Sequence, residues 1–273
     1  MLARRRLAAR VAAASSLILA VAAGCAWMTS NGAPARYAAV NAAALAIGLA
    51  SAFGLSRLSV RTAAWLAVLT APTLAGLALA VGPDVDGVRR WIELGGMTFH
   101  AAMLGGPLFA VAASRAPGDW LTGVAGAVLA LLLALQPDFA TALALVCAFG
   151  SIGLIKPRLP IGAALLAAVV AALWTYRGSP SLGPVEFVEG VVQRLLADAD
   201  ALSIATLASL GLAVIAPAFT LPARRGGLAL SAWMAGLVVA SLLGPYPTPL
   251  VGYGAAAIVG YALALGPRDR GNT

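Results

Sequence analysis

"ALQPDFATAL", Ala134–Leu143, sets a proline and a carboxylate between two long apolar runs, and how that carboxylate is explained decides the fold. The surrounding chain is poor in charge. Of its 273 residues, 61% are hydrophobic and only 10% charged, and the mean hydropathy is +0.93. A soluble domain carries roughly 25% charged residues. A membrane-spanning helix needs about 20 mostly apolar residues, and such runs recur along the whole length. Lipid leaves backbone polar groups without partners, so only helices or a closed barrel can span it. The runs lack the period-2 alternation of barrel strands. The pattern therefore predicts an all-α polytopic membrane protein, a single integral-membrane domain over residues 1–273.

Ten spans are expected, at about 9–28, 37–56, 62–81, 98–114, 120–135, 139–155, 161–177, 201–219, 228–244 and 249–265. Gly and Pro punctuate the breaks, as at Gly82-Pro83, Pro117-Gly118 and Pro245–Pro249. On this reading Pro137 takes the first position of a new helix, where its missing N–H costs little. Asp138 then sits at a helix start, where the macrodipole favours an acid.

The charges orient the bundle. With both termini cytoplasmic, the inner segments hold 13 of the 18 basic residues: Arg4, Arg5, Arg6, Arg10, Arg57, Arg61, Arg115, Lys156, Arg158, Arg224, Arg225, Arg268 and Arg270. Arg36, Arg89, Arg90, Arg177 and Arg194 remain for the outer loops. An excess of Lys and Arg inside is the orientation rule, so the net charge of +8 reflects topology and lipid headgroups rather than nucleic acid. The acids Asp84, Asp86, Glu93, Asp138, Glu186, Glu189, Asp198 and Asp200 all fall outside. The ordinary reading of most of them is a solvated loop.

Cys25 and Cys147 fall within spans and suggest no disulfide framework. The basic, then apolar, N-terminus ahead of Cys25 has the outline of a lipoprotein signal. Ala22 fits that cleavage pattern poorly, and losing the segment would spoil the charge alternation, so a retained first helix is expected. His100 is the lone histidine. With no second one to join it in a metal site, a structural or pore-lining role is expected.

Three polar landmarks interrupt the apolar pattern: "GVRRWIELGGMTF" at Gly87–Phe99, "LQPDFATAL" at Leu135–Leu143, and "YPTPLVGYGAAAIVGYAL" at Tyr246–Leu263. In this order they resemble the SEDS family of cell-shape, division and sporulation proteins, the FtsW/RodA/SpoVE group. The family's "G-x-RWI-x-LG" is matched by Gly87, Arg90, Trp91, Ile92, Leu94 and Gly95, allowing one residue of slack. Gln136, Pro137, Asp138, Thr141 and Ala142 match its "QPD-x-GT-A". Pro249, Tyr253 and Gly254 match its "P-F-SYGGSS", with Gly252 in place of Ser. The resemblance runs from about Gly82 to Leu265.

It implies ten helices in one bundle in the bacterial cytoplasmic (inner) membrane. It also implies polymerisation of lipid-linked disaccharide on the outer face, with undecaprenyl diphosphate as leaving group, in division or cell-shape maintenance. Setting Leu210-Gly211 on the family's Leu-Gly puts Asp200 on its catalytic carboxylate and Asp198 where His usually stands. The family's paired glutamates become Ala208 and Ser209, and its further Glu and Lys become Met103 and Gly106. The chemistry needs a base for the acceptor hydroxyl and cationic help for the departing diphosphate. Asp200 is the expected base, its carboxyl raised by a partly desolvated setting. Asp138 is expected to orient polar groups or help hold a divalent cation. Arg89 and Arg90 would bind diphosphate. Trp91, Gln136, Asp198 and Tyr253 complete the expected substrate contacts. A class B penicillin-binding transpeptidase is the implied partner. Two other readings stand beside this one: a non-catalytic scaffold that binds the lipid-linked precursor or the transpeptidase, favoured by the lost glutamates and lysine, and a lipid or solute transporter.

Overall fold

The structure is a computed structural model that describes residues 2–57, 60–116, 118–178, 183–221 and 224–266. Arg268 and Arg270 of the charge pattern, and Pro117 of the expected breaks, lie outside them. Three long helices come first: α1 (Leu2–Ser30), α2 (Ala35–Leu55) and α3 (Val60–Val81). A hairpin of β1 (Trp91–Leu94) and β2 (Met97–His100) leads into α4 (Ala101–Arg115). Then follow α5 (Asp119–Leu135), α6 (Phe139–Ile155), α7 (Leu159–Gly178), the short α8 (Val191–Asp198), α9 (Ala201–Thr220), α10 (Arg224–Leu243) and α11 (Ala255–Ala264).

Among the described residues, six helices are long and apolar enough to cross a membrane, and α5, α6 and α11 are shorter apolar helices. The protein is a multi-pass membrane protein. Large apolar side chains such as Ile47, Phe53, Leu131, Val170 and Phe219 face outward, as a lipid solvent allows. Trp120 and Trp174, each 70% exposed, sit near opposite ends of neighbouring helices, where aromatic anchors meet the two interfaces. The guanidinium of Arg10 donates to the carbonyls of Leu265 and Gly266 at 3.0 Å, so α1 begins where α11 ends, at the same end of the bundle.

Two expected spans are shorter than the sequence suggested. The fourth begins at Ala101 because Met97–His100 is a strand. Trp91–Leu94 alternates with its partner in the register Trp91↔His100 and Leu94↔Met97. Gly95 and Gly96 make the two-residue turn with φ of +59° and +75°, the left-handed pair that a twisted hairpin favours. The last span is helical only over Ala255–Ala264, because the chain before it is a turn with Leu250 at φ +68°. The segment before α9 carries α8, a helix not expected from the sequence. Its Val191, Val192 and Leu195 are buried and the other face is open.

Helix α4 shows why a short element survives at the centre. Its 15 residues reach about 22 Å, less than the roughly 30 Å hydrocarbon core. Nearly all of them are buried, against α3, α6, α10 and α11, so α4 meets protein rather than lipid. Small residues allow that approach. A Cβ at Gly106 would overlap the Trp233 ring of α10, so a larger residue there would have to push two core helices apart.

Candidate functional site

The polar landmarks meet at the hairpin end of the bundle. Asp138 is completely buried and is the N-cap of α6: its carboxylate accepts from the Thr141 backbone N–H at 3.3 Å and from the Thr141 hydroxyl. The helix therefore begins at Phe139, two residues after the position expected from Pro137. Pro137 lies just before the cap rather than at the first helical position. Facing the same carboxylate, 3.3 Å from its Oδ2, is Nε2 of His100. His100 caps α4, its Nδ1 accepting from the Met103 backbone N–H at 3.3 Å. That acceptor role leaves the ring proton on Nε2, toward Asp138. One His–Asp contact thus ties the starts of two core helices together.

His100 also lines a cavity of about 210 Å³, with Trp91 and Thr98 of the hairpin, Met103 of α4, Val188, and a wall running from Pro247 through Tyr253 to Ala257. The wall is held from several sides. Asn41 of α2 donates to the Gly252 carbonyl at 2.9 Å and accepts from the Gly254 N–H at 3.1 Å. Tyr253 stacks on Tyr37 with centroids 3.8 Å apart, and its N–H donates to the Phe187 carbonyl. The Thr248 N–H donates to the Val188 carbonyl at 2.8 Å, and a backbone bridge joins Glu189 to Pro247.

Arg90 lies beside this cavity. It is only 9% exposed, its guanidinium sits 4.7 Å from the Trp91 ring centroid, and its Nε is buried without a hydrogen-bond partner. It exerts its charge on both Glu189 and His100. Glu189 is half-buried, and burial raises its carboxyl above the 4.5 usual for glutamate, against the lowering effects of the Val185 N–H and of Arg90.

The structure therefore brings Arg90, Trp91, Tyr253 and, through His100, Asp138 to one place. Four expected site residues stand apart from it. Arg89 is exposed and pairs with Asp84 at 3.1 Å. Gln136 is buried and donates to the Ala75 carbonyl at 2.7 Å, tying the end of α5 to α3. Asp198 is exposed at the end of α8. Asp200 is exposed as well, and is the N-cap of α9, accepting from the Ser203 N–H at 2.7 Å. Its carboxyl was expected to be raised by desolvation. Hydrogen bonds from Ser203 instead hold it below the usual aspartate value.

The sequence also left residues unnoticed. Glu189 was counted among ordinary loop acids. Thr248 is 4% exposed with an unpartnered hydroxyl in the cavity wall, and its signal was its place between Pro247 and Pro249. Asn41 had a signal too, a lone amide within an apolar helix. Among the described residues, no group of three or more His, Cys, Asp or Glu stands together.

Comparison with family models and with curated proteins gives no sequence match. Solved structures do match. The rod shape determining protein RodA of Thermus thermophilus aligns over 93% of this chain and 93% of its own, with a TM-score of 0.63 at 22% identity. This chain has the SEDS fold. An aspartate-to-alanine mutant of the same RodA matches equally well, with a TM-score of 0.63 at 23% identity over 93% of this chain and 94% of its own. A chain from a peptidoglycan synthase complex, described for its structural coordination of polymerization and crosslinking, aligns at a TM-score of 0.54 and 22% identity over 92% and 94%. On the SEDS fold of this protein, the first landmark becomes the hairpin, the second the α5–α6 corner, and the third the wall ahead of α11.

Proposed function

We propose that this protein polymerises lipid-linked disaccharide on the outer face of the bacterial cytoplasmic membrane, in cell-wall synthesis for division or cell shape. The observation that carries the reading is the convergence of all three landmarks: Trp91 and His100, Asp138 behind His100, and Tyr253 border one cavity at one end of a SEDS fold. The charge pattern supports the orientation, with both termini cytoplasmic and the cavity outside. The chain acts as a single integral-membrane domain over residues 1–273. A lipid tail lies between helices while the headgroup reaches the cavity.

In the transfer, an acceptor sugar hydroxyl attacks the anomeric carbon of the donor. The bond from that carbon to the diphosphate oxygen breaks, and undecaprenyl diphosphate leaves. Arg90 meets the developing charge, since a buried guanidinium with an unused donor suits a diphosphate oxygen. Glu189, joined by a backbone bridge to Pro247 of the cavity wall and next in sequence to the lining residue Val188, takes the hydroxyl proton. A base works best with its pKa near the operating pH, and burial moves Glu189 in that direction while hydrogen bonding moves Asp200 away from it. Asp138 acts by holding His100 in the cavity wall. The partner is a class B penicillin-binding transpeptidase, in keeping with the peptidoglycan synthase complex that supplies one structural neighbour.

A second reading, a non-catalytic scaffold for the same precursor or partner, draws support from Asp200. The residue aligned with the family's catalytic carboxylate is an exposed helix cap. One assay separates the two. Purified protein, alone and with the transpeptidase, is given lipid-linked disaccharide pentapeptide, and glycan chains are resolved by gel. Chains from wild type and at least about a hundredfold fewer from Glu189→Gln support the polymerase. Precursor binding without chains under either condition supports the scaffold.

A further inference from the structure

The hairpin that walls one side of the cavity has two unlike faces. Opposed residues of an antiparallel pair put their side chains on the same face, and successive residues alternate. The register therefore groups Trp91 with His100 and Glu93 with Thr98 on one face, and Ile92 with Phe99 and Leu94 with Met97 on the other. Trp91, Thr98 and His100 line the cavity, so the first face is turned to it. The second face is apolar throughout. At its root Phe99 packs on the core and Ile92 is half-buried, but at its tip Leu94 is 59% exposed and Met97 38%. Gly95 and Gly96 between them add no side chain. An apolar tip without a charge to hold it in water marks a contact surface.

The length of α4 sets the depth of that tip. Helix α4 follows β2 without a linker, and its other end carries Arg115, a charge that belongs at or beyond the hydrocarbon boundary. Measured from there, its 15 residues reach about 22 Å, so Ala101 lies roughly 8 Å short of the opposite boundary. The strands, at about 3.3 Å per residue, add at most roughly 13 Å. The tip therefore rises no more than about 5 Å above the hydrocarbon, within a headgroup layer of roughly 5–8 Å. Its surroundings already face lipid: β1 packs on α3, whose last residue Val81 is 79% exposed. Unpaired strand edges suit the same level, since headgroups and water can satisfy them where hydrocarbon cannot. We infer that the Leu94–Met97 tip inserts its apolar face into the headgroup layer of the membrane that the protein spans, an amphipathic anchor with phospholipid as its partner. The anchor holds the cavity wall at the bilayer surface, with Glu93 and Thr98 left on the watered side.

The test uses the full-length protein in phospholipid nanodiscs and needs no turnover, so its outcome is independent of the polymerase reading. Spin labels are placed one at a time by Leu94→Cys, Met97→Cys, Glu93→Cys and Thr98→Cys, with Cys25 and Cys147 replaced by alanine. Power-saturation EPR then compares access of oxygen, which concentrates in lipid, with access of a water-soluble nickel chelate. Labels at 94 and 97 should favour oxygen, and those at 93 and 98 should favour nickel. With the label at 97, Leu94→Asp should shift that label toward nickel and Leu94→Ile should not. The wild-type chain gives a second readout that no substitution can disturb. Phospholipid carrying a diazirine at the top of its acyl chain should leave adducts on Leu94 and Met97 as it does on Val81, located by mass spectrometry. Labels at 94 and 97 that favour nickel, or adducts at Val81 without any at the tip, overturn the inference. A tip open to nickel in the protein alone and shielded only when the transpeptidase is added also overturns it, and gives the face to a protein partner.

Discussion

Two helix starts at the hairpin end of the molecule use the same local device and end in opposite surroundings. Asp138 opens α6 and Asp200 opens α9, and each accepts from the backbone N–H three residues on, at Thr141 and Ser203. Yet Asp138 is wholly buried and faces His100, whereas Asp200 stands in the open. A capping aspartate is therefore not informative by itself. What distinguishes the two is the second partner: Asp138 has a histidine that belongs to the cavity, and Asp200 has only its own helix.

The comparison breaks most sharply at His100. His100→Ala leaves the Asp138 carboxylate buried with only Thr141 to satisfy it, and should cost about 3 kcal/mol or more, read as a fall in unfolding temperature in detergent. Asp138→Ala removes the α6 cap together with that carboxylate, and should cost about 2 kcal/mol. Thr141→Val removes one hydroxyl partner and should cost about 1 kcal/mol. If these three changes proved no worse than Asp200→Ala, the two helix starts would be equivalent and the contrast would fail.

Smaller effects sharpen the contrast by pH. The Glu189 carboxyl is raised by burial, so the fold favours its protonated form. The stability it contributes is fully present below the ordinary 4.5 and is lost as pH rises through its higher folded value. Glu189→Gln should flatten the melting curve across that window. Asp200 has the opposite sign. Its cap is in place above the ordinary 3.8 and is lost as pH falls through its lowered folded value. The readout is faster amide exchange in the first turn of α9 below that pH, with α6 unchanged.

Much of the fold was legible in the sequence because lipid simplifies the problem. Long apolar runs, Gly and Pro breaks and the Arg/Lys alternation specify helices and their order. The misread elements are those that the hydrocarbon core of the bilayer does not touch. The hairpin at Trp91–His100 was hidden because its second strand joins an apolar run without a break, although Gly95-Gly96 marked the turn. Helix α11 was read too long because the turn before it is packed by Asn41 and Phe187, contacts that come from distant parts of the chain. Around the cavity, residue type singled out Trp91 and Tyr253 in its lining, Arg90 beside it and Asp138 behind His100. Burial and pairing separate the other residues: Arg89, Gln136, Asp198 and Asp200 stand apart from the cavity, Thr248 lines it, and Glu189 is bridged to its wall at Pro247. No local pattern encodes those distinctions.

The most direct test of the account compares Asp138→Asn and Asp200→Ala in one polymerisation assay with lipid-linked disaccharide pentapeptide. Asparagine still caps α6 but removes the charge that faces His100. The account predicts that Asp138→Asn makes about tenfold fewer glycan chains, or worse, as misplacement of a site group does. It predicts that Asp200→Ala polymerises much as wild type does. Loss of chains in a folded Asp200→Ala protein, with Asp138→Asn active, would contradict it and move the chemistry to the start of α9.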